Sequence, residues 1–159
     1  MLIGLNHKTA TVEERERALT VFRSLPGVLL ATCNRVELYQ IKNEKLRIKN
    51  EGIYYYENEE VVRHLFRVAS GLDSQILGEW EILGQVREVY SANRGKNWML
   101  DQLFEHAVEV GRRVREETSI SQGNVSIASV AVAKAREYLR EIANQKIILI
   151  GWARFQKRY

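Results

Sequence analysis

Cysteine and proline each occur once in the 159 residues, as Cys33 and Pro26. A single cysteine excludes an internal disulfide framework and a cysteine-rich zinc site. His7, His64 and His106 are the only histidines and have no ligand-like spacing, so no metal site is expected. There is no Gly/Ser-rich linker, low-complexity tract or internal repeat. Long apolar runs are missing too. The clearest are Val28-Leu29-Leu30-Ala31 and Ile147-Ile148-Leu149-Ile150, far short of the roughly 18–20 residues a membrane helix needs. No basic stretch precedes the apolar residues after Met1, and Lys8, Glu13 and Glu14 follow at once, so no secretory signal is expected. These absences describe a soluble, reduced, cytoplasmic protein. Charge of either sign is not in excess: the net is +4, compatible with a polyanionic partner without pointing to one.

What is present is enough apolar material, 45% of residues, to bury a core. Strands are expected at Leu2-Ile3-Gly4-Leu5, over 28–32, over 36–41 and over 53–56. Between the first two, Thr11 and Glu14 form a plausible capping box before a helix with Val12, Ala18, Leu19 and Phe22 at helical spacing. This order suggests an α+β fold, a small sheet with helices on one face. From Glu59 the period turns helical. Val62, Leu65, Phe66 and Ala69 mark one helix; a Gly71-Leu72-Asp73-Ser74 break follows, with Asp73 or Ser74 available as a cap. Ile82, Leu83, Val86, Val89 and Tyr90 mark a second helix closed by Asn93-Arg94-Gly95; further helices are expected over 98–117 and 126–143. The strand pattern over 146–150 is followed by Gly151-Trp152-Ala153, where a dinucleotide loop would carry further glycines, so no cofactor site is expected there.

Three groups of side chains could carry chemistry. Cys33, within Thr32-Cys33-Asn34-Arg35, is a small buried hydrophobe or a nucleophile. A nucleophile needs its thiolate, and Arg35, two residues on in an extended segment, would share its face and favour ionisation. Arg35 could equally grip a carboxylate or be a surface charge. His64 reads as a half-buried core histidine or as an acid/base group. Glu79, Glu81 and Gln85 gather at the start of the second of these helices, and Arg112, Arg113 and Arg115 form a basic group that is solvated or meets phosphates.

The motifs narrow these alternatives. Gly4-Leu5-Asn6-His7-Lys8-Thr9-Ala10, Ala31-Thr32-Cys33-Asn34-Arg35-Val36-Glu37-Leu38-Tyr39, the segment 70–79, Ile82-Leu83-Gly84-Gln85-Val86 and the segment 111–118, continued by Gly123-Asn124-Val125-Ser126, resemble glutamyl-tRNA reductase. That family is an NADPH-dependent oxidoreductase opening tetrapyrrole (porphyrin, heme) biosynthesis. The resemblance implies a ferredoxin-like α+β catalytic domain over 1–118, a long spinal-type linker helix over 119–144, and the first strand of a dinucleotide-binding domain over 145–159. It assigns Cys33 the attack on glutamyl-tRNA that gives a thioester, reduced in the family by NADPH to glutamate-1-semialdehyde, and His64 an assisting role. Thr32, Asn34, Arg35, Ser74, Glu79, Trp80, Glu81 and Gln85 would form the glutamate pocket. Glutamyl-tRNA and glutamate-1-semialdehyde aminomutase are the implied partners; the apolar stripe over 126–143 and the strand pattern after it lead separately to an expectation of self-association; NADPH is not expected to bind this chain alone. The alternative is a non-catalytic tRNA-binding or regulatory remnant of the same domain. Departures from the family pattern are Thr11 where it has proline, Trp80-Glu81 where it has a small residue or proline followed by glutamine, and a short segment between Tyr39 and Tyr54 that would omit a second helix.

Overall fold

Two central strands set the architecture. β1 (Leu2–Asn6) and β3 (Arg35–Tyr39) are buried along their whole length, which requires cover on both faces of the sheet. In the computed structural model, which describes residues 1–41, 52–123, 126–139, 146 and 148, they pair antiparallel at the centre, Leu2 opposite Tyr39 and Asn6 opposite Arg35. β2 (Val28–Ala31) flanks β3 and β4 (Tyr54–Tyr56) flanks β1, giving the order β2-β3-β1-β4 with every pair antiparallel. The expected omission of a second helix between β3 and β4 falls on a segment largely outside the described residues.

Helices cover both faces, which corrects the one-face expectation. Ile3, Leu5, Val36 and Leu38 pack against Ala18 and Phe22 of α1 (Val12–Phe22). On the opposite face Leu2, Leu30 and Tyr39 meet α2 (Glu59–Ala69), α3 (Glu81–Asn93) and α4 (Trp98–Glu117) through Leu65, Val68, Val86, Phe104 and Ala107. The Thr11 capping box forms as read: its hydroxyl accepts from the Glu14 amide at 3.3 Å, and the Glu14 carboxylate accepts from the Thr11 amide at 2.8 Å. Neither Asp73 nor Ser74 caps a helix, because α3 begins only at Glu81, with Trp80 at its N-cap. α5 (Ile127–Tyr138) is capped by Ser126, buries no residue, and stops at Leu139, whose backbone is extended. The expected continuation to 143 and the strand over 147–150 fall largely outside the described residues.

Candidate active site

Cys33 stands at the tip of the turn between β2 and β3. The Thr32 hydroxyl accepts from the amides of Asn34 (3.1 Å) and Arg35 (3.2 Å), while the Thr32 amide donates to the Arg35 carbonyl at 2.8 Å. Serine and threonine hydroxyls fold turns in this way by replacing a backbone acceptor. The tip is held from outside as well. The His7 amide donates to the Asn34 carbonyl at 2.8 Å, and Arg15 Nη2 to the Cys33 carbonyl at 3.0 Å. The thiol is exposed. Partial desolvation and the carboxylates of Glu79 and Glu81 push it above its ordinary value, against the pull of its own backbone amide and of Arg15.

This corrects the expectation that Arg35 would activate Cys33. Residues 33 and 34 are bent and not extended, so the same-face rule for alternate residues does not reach from 35 back to 33. Arg35 instead turns into the core, fully buried. Its Nη1 donates to Glu37 Oε1 at 2.9 Å and lies 3.5 Å from Asp73 Oδ2, and its Nη2 donates to the Asp73 carbonyl at 2.6 Å.

Glu37 is the centre of this buried group. Its carboxylate accepts from Arg35, from the hydroxyls of Tyr39 (2.7 Å) and Tyr54 (2.6 Å), and lies 2.8 Å from His64 Nε2. Burial alone would raise its carboxyl, but the His64 bond, the Arg35 guanidinium and the Tyr54 hydroxyl hold it at about 2. An ionised Glu37 is acceptor only, so His64 Nε2 is the donor and, in the neutral ring, Nδ1 carries the lone pair. Tyr54 and Tyr56 lie against the imidazole, with centroids 5.6 and 5.0 Å away. Gly4 makes room for the group: a Cβ there would stand 2.8 Å from Glu37 Cγ and 2.9 Å from the Tyr54 ring. His64 is thus a buried histidine tied to a charge network.

The segment 70–81 closes the other side. Lys8 Nζ bonds Asp73 Oδ1 at 2.5 Å; burial raises the Asp73 carboxyl, but Lys8 and Arg35 together outweigh it and lower it. Gly78 has φ +76°, and a Cβ would collide with the Ile120 carbonyl oxygen, so glycine is required there. Arg115 donates to the carbonyls of Ala69 (2.7 Å), Gly111 (2.6 Å) and Glu79 (2.7 Å) and lies under the Trp80 ring at 5.5 Å. It is thus a buried brace, and only Arg112 and Arg113 remain as the exposed basic face, each paired with a glutamate one turn on. Ser74 Oγ and Arg35 Nε are buried without a partner among the described residues.

The fold therefore puts Thr32 and Asn34 in the turn that carries Cys33, with Glu79 and Glu81 acting on the thiol, and ties Arg35 and His64 to the buried Glu37 carboxylate, with Asp73 joined through Arg35. Gln85 lies one turn after Glu81 on α3, partly exposed. Sequence reading missed Glu37, Tyr39, Tyr54, Arg15 and Arg115 as parts of this arrangement. For Glu37 a signal existed: Arg35 and Glu37 occupy alternate positions of an otherwise apolar strand. For Arg15 and Arg115 none did, since both look like members of charged helix faces. Among the described residues, no group of His, Cys, Asp and Glu could hold a metal ion, and no helix is long and apolar enough to cross a membrane.

Comparison with known proteins is consistent over most of the chain. Residues 3–118 match the family model described as glutamyl-tRNAGlu reductase, N-terminal domain. The glutamyl-tRNA reductase of Xanthomonas oryzae pv. oryzae (strain PXO99A) is 40% identical over 177 residues, covering 94% of this chain and 41% of that protein. That of Chromohalobacter salexigens is 37% identical over 184 residues, covering 95% and 43%. The solved structure of glutamyl-tRNA reductase from Methanopyrus kandleri superposes with a TM-score of 0.66 at 42% identity, over 87% of this chain and 39% of that one. The chain thus spans about two fifths of the length of these relatives.

Proposed function

We propose, from the premise that this chain belongs to the glutamyl-tRNA reductase family through its N-terminal domain, that it captures the glutamyl group of glutamyl-tRNA on Cys33. The observation carrying this is the thiol's position, exposed at the tip of a hydrogen-bonded turn and flanked by two carboxylates. The Cys33 thiolate adds to the ester carbonyl, a C–S bond forms, and the C–O bond to the terminal ribose breaks. The ribose oxygen leaves with a proton, and His64, with its tautomer set by Glu37, is the group assigned to manage it. The ammonium of the glutamyl group, entering beside Glu79 and Glu81, neutralises the charges that keep the thiol protonated. Substrate binding would then switch on its own nucleophile. Thr32, Asn34, Ser74, Trp80 and Gln85 complete the pocket in this reading. Arg35 is spent on Glu37 and Asp73 and acts on the substrate through Asp73 and its one unpartnered nitrogen. The sheet order β2-β3-β1-β4 fits a ferredoxin-like domain, with α5 as the start of the linker helix.

The described residues do not fit NADPH. Gly71 and Gly78 are both filled by backbone neighbours and open no helix, so they form no pyrophosphate cradle. Reduction to the aldehyde, with any aminomutase that takes it, is assigned to the length of the relatives that this chain does not span. Water is the acceptor left for the thioester, making the chain a slow esterase.

Incubation with glutamyl-tRNA followed by intact mass measurement tests the reading. A hydroxylamine-labile glutamyl adduct, absent from Cys33→Ala, is expected; no adduct with intact protein overturns it. The raised Cys33 thiol favours one second reading, a tRNA-binding or regulatory domain. Equal tRNA affinity for the parent and Cys33→Ala, without an adduct, would select it.

A further inference from the structure

Arg15 is the only charged side chain of α1 that the fold buries; Glu13, Glu16 and Arg17 on the same helix lie in solvent. A guanidinium removed from water costs free energy unless its donors are used. Arg15 uses two, donating from Nη1 to the Ala10 carbonyl at 2.6 Å and from Nη2 to the Cys33 carbonyl at 3.0 Å. Among the described residues it forms no ion pair, whereas Arg35, Arg112 and Arg113 each pair with a carboxylate. Its charge is therefore not cancelled locally, and it is anchored to the residue that bears the thiol.

We infer that Arg15 is a positioning residue for Cys33, holding the tip of the turn through the Cys33 carbonyl and supplying the cation that stabilises its thiolate. The carboxylates of Glu79 and Glu81 oppose ionisation, and Arg15 acts against them. Arg35, the cation that sequence spacing suggests for this task, is committed to Glu37 and Asp73. α1 thus reaches across the end of the sheet to serve a residue 18 positions away. The inference rests on reading Cys33 as the nucleophile, yet its test does not need glutamyl-tRNA.

The rate of iodoacetamide alkylation of Cys33 is measured against pH in the full chain and in variants whose folding is checked by thermal unfolding. Arg15→Met is expected to raise the apparent pKa by a few tenths of a unit, seen as roughly twofold slower alkylation at neutral pH. Arg17→Met, which removes an exposed charge from the same helix, should leave the profile in place. Arg15→Lys keeps a charge and should restore most of the rate. If the methionine variant does not fold, Arg15→Gln, uncharged but still able to donate to one carbonyl, carries the same expectation. A profile for Arg15→Met that overlays the parent overturns the inference, as does an equal shift in Arg17→Met or a lysine variant as slow as the methionine one. An unshifted profile beside a normal glutamyl adduct refutes the role of Arg15 alone. A shifted profile without any adduct refutes the acyl-capture reading alone.

Discussion

Charge in this domain is placed by burial more than by spacing, and Glu37 shows the consequence. Four donors converge on a carboxylate that is fully buried. Replacing it by glutamine leaves the buried Arg35 with only the more distant Asp73 carboxylate and puts an amide NH2 where the carboxylate accepted from donors. Glu37→Gln should cost about 3–5 kcal/mol in denaturant unfolding. The pH dependence has a definite sign. The folded carboxyl sits at about 2, below its ordinary 4.5, so its contribution is complete above about pH 4.5 and is lost as pH falls toward 2. A shift of that size is worth on the order of 3 kcal/mol, and the acid limb of the stability profile should flatten in Glu37→Gln. For Cys33 the sign is reversed. Burial raises its thiol, and Glu79 and Glu81 add to this, so Glu79→Gln and Glu81→Gln should each lower the alkylation pKa by a few tenths of a unit, and added salt should do the same in the parent. A profile in the parent below that of a free thiol would contradict this.

At the scale of elements, local signals were legible and convergence was not. The Thr11 box, the limits of α4 and the end of α3 at Asn93 follow from capping residues and period, which neighbours in sequence decide. The placement of α1 on its own face of the sheet does not, because Arg35 and Glu37 make β3 read as a strand with one polar face, and its two-sided burial follows only once it is known to be central. The motif around Cys33 was legible as a motif, but its geometry was inverted: Arg35 faces the core and Arg15 faces Cys33. Arg115 is the sharpest case. It sits in Arg112-Arg113-Val114-Arg115, yet it ties α4 to the end of α2 and to the segment carrying Glu79. Arg115→Met removes the donors to three carbonyls and the cation beneath Trp80, so it should destabilise by about 2–4 kcal/mol. Hydrogen exchange should accelerate in residues 70–81 before the sheet is affected. Uniform acceleration across the chain would mean that Arg115 supports the core as a whole, not that segment.

For the whole molecule, the contrast is between a sheet covered on both faces and a C-terminal helix that covers nothing. α5 buries no residue, and Ile127, Val132 and Tyr138 are 63, 50 and 79% exposed, with Ile148 beyond them at 83%. Ile127, Val130 and Tyr138 share one face at helical spacing, and an exposed apolar face marks an interaction surface. It cannot come from a weak helix signal, since Ser126 and Ser129 cap α5 well. On its own the chain should use α5 to self-associate, whereas a version ending at Thr118 keeps the sheet, both core clusters and α1–α4, and should stay monomeric with unfolding behaviour close to the parent. Sedimentation of the two side by side decides the matter. Concentration-dependent association confined to the longer chain supports the prediction. Monomers in both, with Ile148 protected from exchange in the longer one, would show that the tail packs against its own domain.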